Sequence, residues 1–310
     1  MMITMNISVF TYFFAHRSIK TAHKHARNGV NISLLSSLFF FSILSAHAIN
    51  SASETRWAEQ LRDNIVIGEP LDLPLSSTEK QTEIAPFFSI YTEATTSKAK
   101  GAVILLHGSG AHPDWSDIIH PLRVTLPDNG WASLAIQLPL QNTEKPSRKE
   151  EQNKERIAVI KASITRINLA IEFLREKKYD YIVLISHSFG SLMSLNYLQT
   201  NSDKKTAQGK PFVNAAIIIG TPLLGKKIPL NSALMIAKIH IPLLDLYGSE
   251  DLDSVLRSAK ARKTAAHKAQ NKHYRQTQTI GANHFYQGLD NELNTYVSNW
   301  LNSTYRLSKP

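Results

Sequence analysis

An open, mostly parallel β-sheet wound by helices on both faces is the α/β fold class that this sequence predicts, and three observations predict it. Short runs, apolar on both faces and rich in β-branched residues, recur along the 310-residue chain. Most of these runs stop at Gly or Pro, and amphipathic helical stretches lie between them. Strands that alternate with helices need crossover connections, and crossovers give parallel pairing in a doubly wound sheet. A 43% hydrophobic content, with 13 Gly and 13 Pro spread along the chain, suits one domain with a full core.

The N-terminus is expected to be a targeting segment. Arg17, Lys20, Lys24 and Arg27 precede the apolar run Ile32 to Leu44, and the small-x-small site Ala46-His47-Ala48 follows. A basic region, a short apolar run and such a site describe a secretory signal peptide, and the run is short for a permanent span. An uncleaved N-terminal anchor is the alternative. The stretch before Arg17 is long for such a leader, and a start codon assigned too far upstream accounts for it. The absence of cysteine fits an oxidising compartment and excludes disulfides, thiolate metal sites and a lipid-modified cysteine. Removal through Ala48 takes four of the ten net positive charges, leaving a surface able to make weak contact with anionic envelope polymers or lipids.

From Trp57 to Ser97 the pattern reads as a short helix and then strand-like pieces, including Pro86 to Tyr91. The regular runs follow: Gly101 to Leu106, Trp131 to Leu138, Tyr181 to Ile185, Asn214 to Ile219, Ile241 to Tyr247 and Gln276 to Ile280. Between them, Glu155 to Lys177 carries Ile157, Ile160, Ile164, Ile167, Ile171 and Leu174 on one helical stripe. A last helix is expected over Gly288 to Leu301. The organisation expected is a signal segment over 1–48, a helix with leading strands over 49–98, and the core over 99–310.

In such a sheet, ligand chemistry sits at the carboxyl ends of the strands. The third run leads into Ser186-His187-Ser188-Phe189-Gly190 and a helix over Ser191 to Leu198. A serine on a tight strand-to-helix turn, with small neighbours two positions away on each side, describes a nucleophile elbow. Ser188 is favoured over Ser186 because glycine lies two residues beyond it. The first run ends in His107-Gly108-Ser109-Gly110, a turn suited to supplying an oxyanion donor, and the backbone N–H groups of Ser109 and Phe189 are the expected pair. His107, Gly108, Gly110 and His187 are pocket candidates, with His107 read as a packed structural residue. A serine needs a base and the base an orienting acid. Asp251 follows the fifth run, with Glu250 and Asp253 as alternatives, and His284 follows the sixth. Each motif is weak alone; three at the ends of the third, fifth and sixth runs, in the order Ser, Asp, His, make a triad.

The segments GAVILLHGSGAHPDW, GWASLAIQLP, SHSFGS, LLDLYGSEDL and GANHF resemble the α/β-hydrolase superfamily, and more narrowly a poorly characterised bacterial family of exported α/β-hydrolase-like proteins. The similarity runs from about Trp57 to the C-terminus. It implies Ser188 as nucleophile, Asp251 as acid and His284 as base, while the signal segment implies export to the periplasm or outside the cell. Ser186 departs from the usual glycine, which bears on the elbow geometry. Pro222 to His240 is short where larger members insert a lid, so an open, shallow pocket without a large lid domain is expected.

Other features are read plainly. Seven Lys or Arg between Asp251 and Arg275 describe a solvated helix face rather than a nucleic-acid surface, because no aromatic residue interleaves before Tyr274. Pro139 to Glu155 is a polar connector, or a loop bordering the site. His112, Asp114 and Trp115 follow the turn and are pocket-lining candidates, with helix-entry packing an equal account of Trp115. No metal-ligand spacing and no phosphate loop occurs, so no cofactor is expected. The substrate expected is a small or lipid-like ester, cleaved through an acyl-enzyme. A non-catalytic protein of this fold that binds an envelope component is the rival, and a peptidase is the third reading.

Overall fold

The computed structural model describes residues 50–74, 85–142, 148–201, 204–207, 209–224 and 230–308. The expected signal segment over 1–48 lies outside them, as do parts of the Pro139–Glu155 connector and of Pro222–His240. Helix α1 (Ser51–Arg62) comes first, its N-terminus capped by Asn50, whose Oδ1 accepts the Ser53 N–H at 3.0 Å. Then follow β1 (Glu69–Leu73), β2 (Phe87–Thr92), β3 (Gly101–Leu106), α2 (Ile119–Thr125), β4 (Trp131–Ile136), α3 (Lys149–Glu176), β5 (Ile182–His187) and α4 (Phe189–Thr200). The chain continues through β6 (Ala215–Ile219), α5 (Ser232–Ile236), β7 (Leu243–Glu250), α6 (Asp253–Lys268), β8 (Tyr274–Asn283) and α7 (Asp290–Leu307).

The strands form one sheet in the order β1-β2-β4-β3-β5-β6-β7-β8. From β4 to β8 every pairing is parallel, and the leading strands join antiparallel at one edge. This is the expected mostly parallel α/β sheet. Every residue of β3, β4, β5 and β6 is buried, which explains runs without polar alternation. Alternate residues serve opposite faces. Ala102, Ile104 and Leu106 join the core under α3 to α6, while Val103 and Leu105 join the core under α2 and α7. The chain leaves β3 toward β4 and then returns to β5 on the other side, so β3 and β5 flank the point where the winding reverses. A crevice opens at the carboxyl ends of two such strands.

Several boundaries differ from the periodicity. Helix α3 begins at Lys149, ahead of its apolar stripe, because Glu150 and Glu151 suit the positive end of the dipole without needing core contacts. Among the described residues of Pro222–His240 the only helix is α5, five residues long. No helix among the described residues is long and apolar enough to cross a membrane.

The basic stretch of α6 is not uniformly solvated, and this corrects the sequence reading. Arg257 is exposed, but Arg262 is wholly buried against the equally buried Asp245 of β7. Arg262 Nε donates to Asp245 Oδ2 at 2.7 Å and Nη2 to Oδ1 at 3.1 Å. Tyr274 Oη and Gln276 Nε2 of β8 donate to the same Oδ2 at 2.7 and 2.9 Å. Removing one partner strands a buried charge. Arg262→Met is therefore expected to lower the unfolding free energy by about 3–5 kcal/mol, and Arg262→Met with Asp245→Leu by clearly less. Urea unfolding of the three proteins checks this ordering.

Candidate active site

Ser188 stands between the last residue of β5 and the first of α4, with φ 52° and ψ −121°. A positive φ is unusual for a residue with a side chain and stores strain. Three contacts hold it. The Ser188 N–H donates to the Ile219 carbonyl of β6 at 2.8 Å. Ser191 Oγ donates to the Ser186 carbonyl at 2.9 Å. Gly190 lies so close to β3 that a Cβ there would be 2.4 Å from the His107 carbonyl oxygen and 2.7 Å from that of Leu106. The position two residues after Ser188 therefore has room for glycine alone. The position two before it does not: Ser186 is buried and its Oγ donates to the Ile217 carbonyl at 3.2 Å. Serine fits where glycine was the expected residue because the neighbouring strand satisfies its hydroxyl.

The strand order brings the three triad candidates together. His284, just beyond β8, places Nε2 2.9 Å from Ser188 Oγ. Its Nδ1 lies 2.6 Å from Asp251 Oδ1, just beyond β7. A carboxylate only accepts, so Nδ1 carries the proton and Nε2 presents its lone pair to the serine hydroxyl. Asp251 is held in turn by the Leu252 N–H on Oδ1 at 2.7 Å and the Gly248 N–H on Oδ2 at 3.3 Å. The alternative acids are turned elsewhere: Glu250 is exposed, and exposed Asp253 faces Arg257 at 3.7 Å. Gly220, which closes β6, has φ 57°, and a Cβ there would come within 3.0 Å of the His284 ring. In the sequence this glycine was legible only as the end of a strand.

The turn after β3 lies against the elbow. A Cβ on Gly108 would be 3.3 Å from that of Ser188. The Ala111 N–H closes the turn on the Gly108 carbonyl, and Gly110 takes φ 72° with open space around it. Ser109 is exposed, its Oγ 3.4 Å from Gln141 Oε1. Phe189 opens α4, where no side chain caps the helix and the N–H groups of its first two residues precede the first intrahelical acceptor.

Two buried histidines lock this frame. His107 Nε2 accepts the Leu138 N–H at 2.9 Å, so its Nδ1 carries the proton and donates to the Gly108 carbonyl at 2.8 Å. It is the packed structural residue that the sequence suggests. His187 Nε2 donates to the His284 carbonyl at 3.0 Å, and its ring lies 4.8 Å from that of His284. Burial pushes His107 down to about 3, and burial, with His284 alongside, pushes His187 down to about 3. Both are neutral in the folded protein. His112 packs between Trp57 and Trp115, while Asp114 binds His120 and Arg123. These contacts anchor α1 and α2 beside the turn.

Sheet order, elbow and turn define the α/β-hydrolase fold. Solved structures with that fold include a putative dienelactone hydrolase from Klebsiella pneumoniae subsp. pneumoniae, 14% identical, with 74% of this chain and 97% of that chain covered at TM-score 0.54. Est1E from Butyrivibrio proteoclasticus is 15% identical over 72% of this chain and 96% of that chain, at TM-score 0.53. An alpha-beta serine hydrolase homologue from Coxiella burnetii is 15% identical over 76% and 98%, at TM-score 0.51. The chain belongs to the family described as Protein of unknown function (DUF3530), which matches residues 71–163 and 141–303. No curated protein matches it.

The neutral histidines set an acid sensitivity. Unfolded, each regains a value near 6.5, so below that pH the unfolded chain binds more protons than the folded one. Their contribution to stability is complete above 6.5 and is lost as pH falls from 6.5 toward about 3. The loss approaches about 1.4 kcal/mol per pH unit for each histidine. Denaturant unfolding of the wild type and His187→Phe between pH 7 and pH 4 is expected to show a slope shallower by about one proton in the variant.

Proposed function

We propose that the chain is a serine hydrolase of carboxylesterase type. The observation that carries this reading is the relay Ser188–His284–Asp251, with separations of 2.9 and 2.6 Å. His284 takes the proton of Ser188 as Oγ attacks the carbonyl carbon. Asp251 holds the imidazole and stabilises the imidazolium that forms. The oxyanion is received by the backbone N–H groups of Ser109 and Phe189, at the open end of α4. His284 then protonates the leaving alcohol. Water, deprotonated by the same imidazole, attacks the acyl-enzyme, releasing the acid and restoring Ser188. The rival binding protein would need no such relay, whereas this one stands within hydrogen-bond reach without rearrangement. The leader expected over 1–48 supports export as the setting, and a mature N-terminus beginning after Ala48 on secreted protein tests that assignment.

The decisive measurement is labelling of the purified protein with a fluorophosphonate. The expected product is one adduct on Ser188, with hydrolysis of p-nitrophenyl esters that falls by a factor on the order of 10⁴ or more in Ser188→Ala. A folded protein that neither labels nor turns over esters would overturn the assignment and favour the binding protein. Gly220→Ala tests the geometry separately. Its methyl group meets the His284 ring, so kcat is expected to fall at least about tenfold with KM little changed, because a misplaced base weakens the transition state more than the bound substrate. Steady-state kinetics on one ester series reads the split.

A further inference from the structure

Arg262 and Asp245 stand outside the relay, yet their contacts converge on it. Arg262 Nη1 donates to the Thr221 carbonyl at 3.0 Å. Thr221 follows Gly220, the residue at which an added Cβ would lie 3.0 Å from the His284 ring. Asp245 belongs to β7, the strand that delivers Asp251, and its Oδ2 gathers Tyr274 and Gln276 from β8, the strand that delivers His284. One wholly buried carboxylate and one wholly buried guanidinium therefore tie the end of β6, strands β7 and β8, and helix α6 to each other. Apolar residues could fill this depth with equal stability, since a buried ion pair recovers little beyond its desolvation cost. What the pair adds is direction: a planar fork facing a planar carboxylate fixes angles that methyl groups do not.

We infer that the Arg262–Asp245 pair is a positioning device for the base of the relay. It seats the Gly220–Thr221 turn against the His284 imidazole and so keeps Nε2 within reach of Ser188 Oγ. The pair touches neither substrate nor reacting atoms, and the inference rests on the serine-hydrolase reading above.

The test compares the full-length wild type with the double variant Arg262→Met, Asp245→Leu and with Arg262→Lys. Three readouts are taken: kcat and KM on p-nitrophenyl butyrate, cooperative thermal unfolding, and the downfield proton resonance of His284 Nδ1–H, which needs no turnover. A double variant that unfolds cooperatively is expected to keep KM within about twofold while kcat falls about tenfold or more, with the downfield resonance shifted or broadened. Arg262→Lys keeps the charge without the fork, and kcat is expected to fall between the other two. A folded double variant with the wild-type kcat and resonance would overturn the inference. Should the double variant not fold, Arg262→Lys decides by the same two readouts, unchanged values overturning it. If the wild type neither labels at Ser188 nor hydrolyses esters, the hydrolase reading fails by itself. The resonance then still decides the positioning: displaced in the variants it supports the inference, and unmoved it overturns it.

Discussion

A strand that must become a helix within a single residue forces that residue out of the backbone regions both elements use. Ser188 meets this demand at φ 52°, a conformation that costs on the order of 1–3 kcal/mol for a residue with a side chain. Everything around the crevice follows from holding it there. The Ile219 carbonyl accepts the serine N–H, the Ser191 hydroxyl donates to the carbonyl of Ser186, and Gly190 lets α4 press onto β3 at a distance no Cβ would allow. The return is an Oγ carried past the end of β5 and a helix whose first N–H groups begin beside it.

The same close packing accounts for the two neutral histidines. Where backbones approach at glycine distances, few side chains can bridge carbonyls and amides without bringing a charge. A neutral imidazole donates from one nitrogen and accepts on the other, so His107 ties the Gly108 carbonyl to the Leu138 N–H across two strand ends. His187 braces the His284 backbone by donating to its carbonyl. Their depth keeps them uncharged, which leaves His284 without a cationic imidazole beside it at neutral pH.

How much of this was legible in the sequence depends on whether burial left a pattern. Strands β3 to β6 were legible because full burial demands unbroken apolar runs. Strand β1 was not singled out, since Glu69 is exposed and Pro70 interrupts a short edge alternation. Helix α2 starts from Ile118 at φ 62° without a side-chain cap, so no capping signal announced it. The residues gathered at the strand ends were readable because topology restricts where such chemistry can stand. Gly220 was not, since contact with a side chain distant along the chain leaves no local mark. Arg262 was misread as one more solvated cation. The available signal lay elsewhere: Asp245 is an acid inside the apolar run IPLLDLY, and a buried carboxylate demands a partner.

Strand β7 carries one buried carboxylate near its start and leads into a second just past its end, and the two take different partners. Asp245 faces a guanidinium, which stays charged at any pH the fold survives, so its negative charge is answered permanently. Asp251 instead accepts a hydrogen bond from the His284 imidazole at 2.6 Å, a partner without a permanent charge. Exchanging the roles would fail on both counts. Under the proposed relay, a guanidinium beside Asp251 would answer in advance the charge that is to stabilise the imidazolium, and a neutral imidazole beside Asp245 would leave a buried carboxylate without a counter-charge. Five residues of strand separate the two, and α6 returns to cover the first, so the fixed charge pair stays apart from the hydrogen-bonded one.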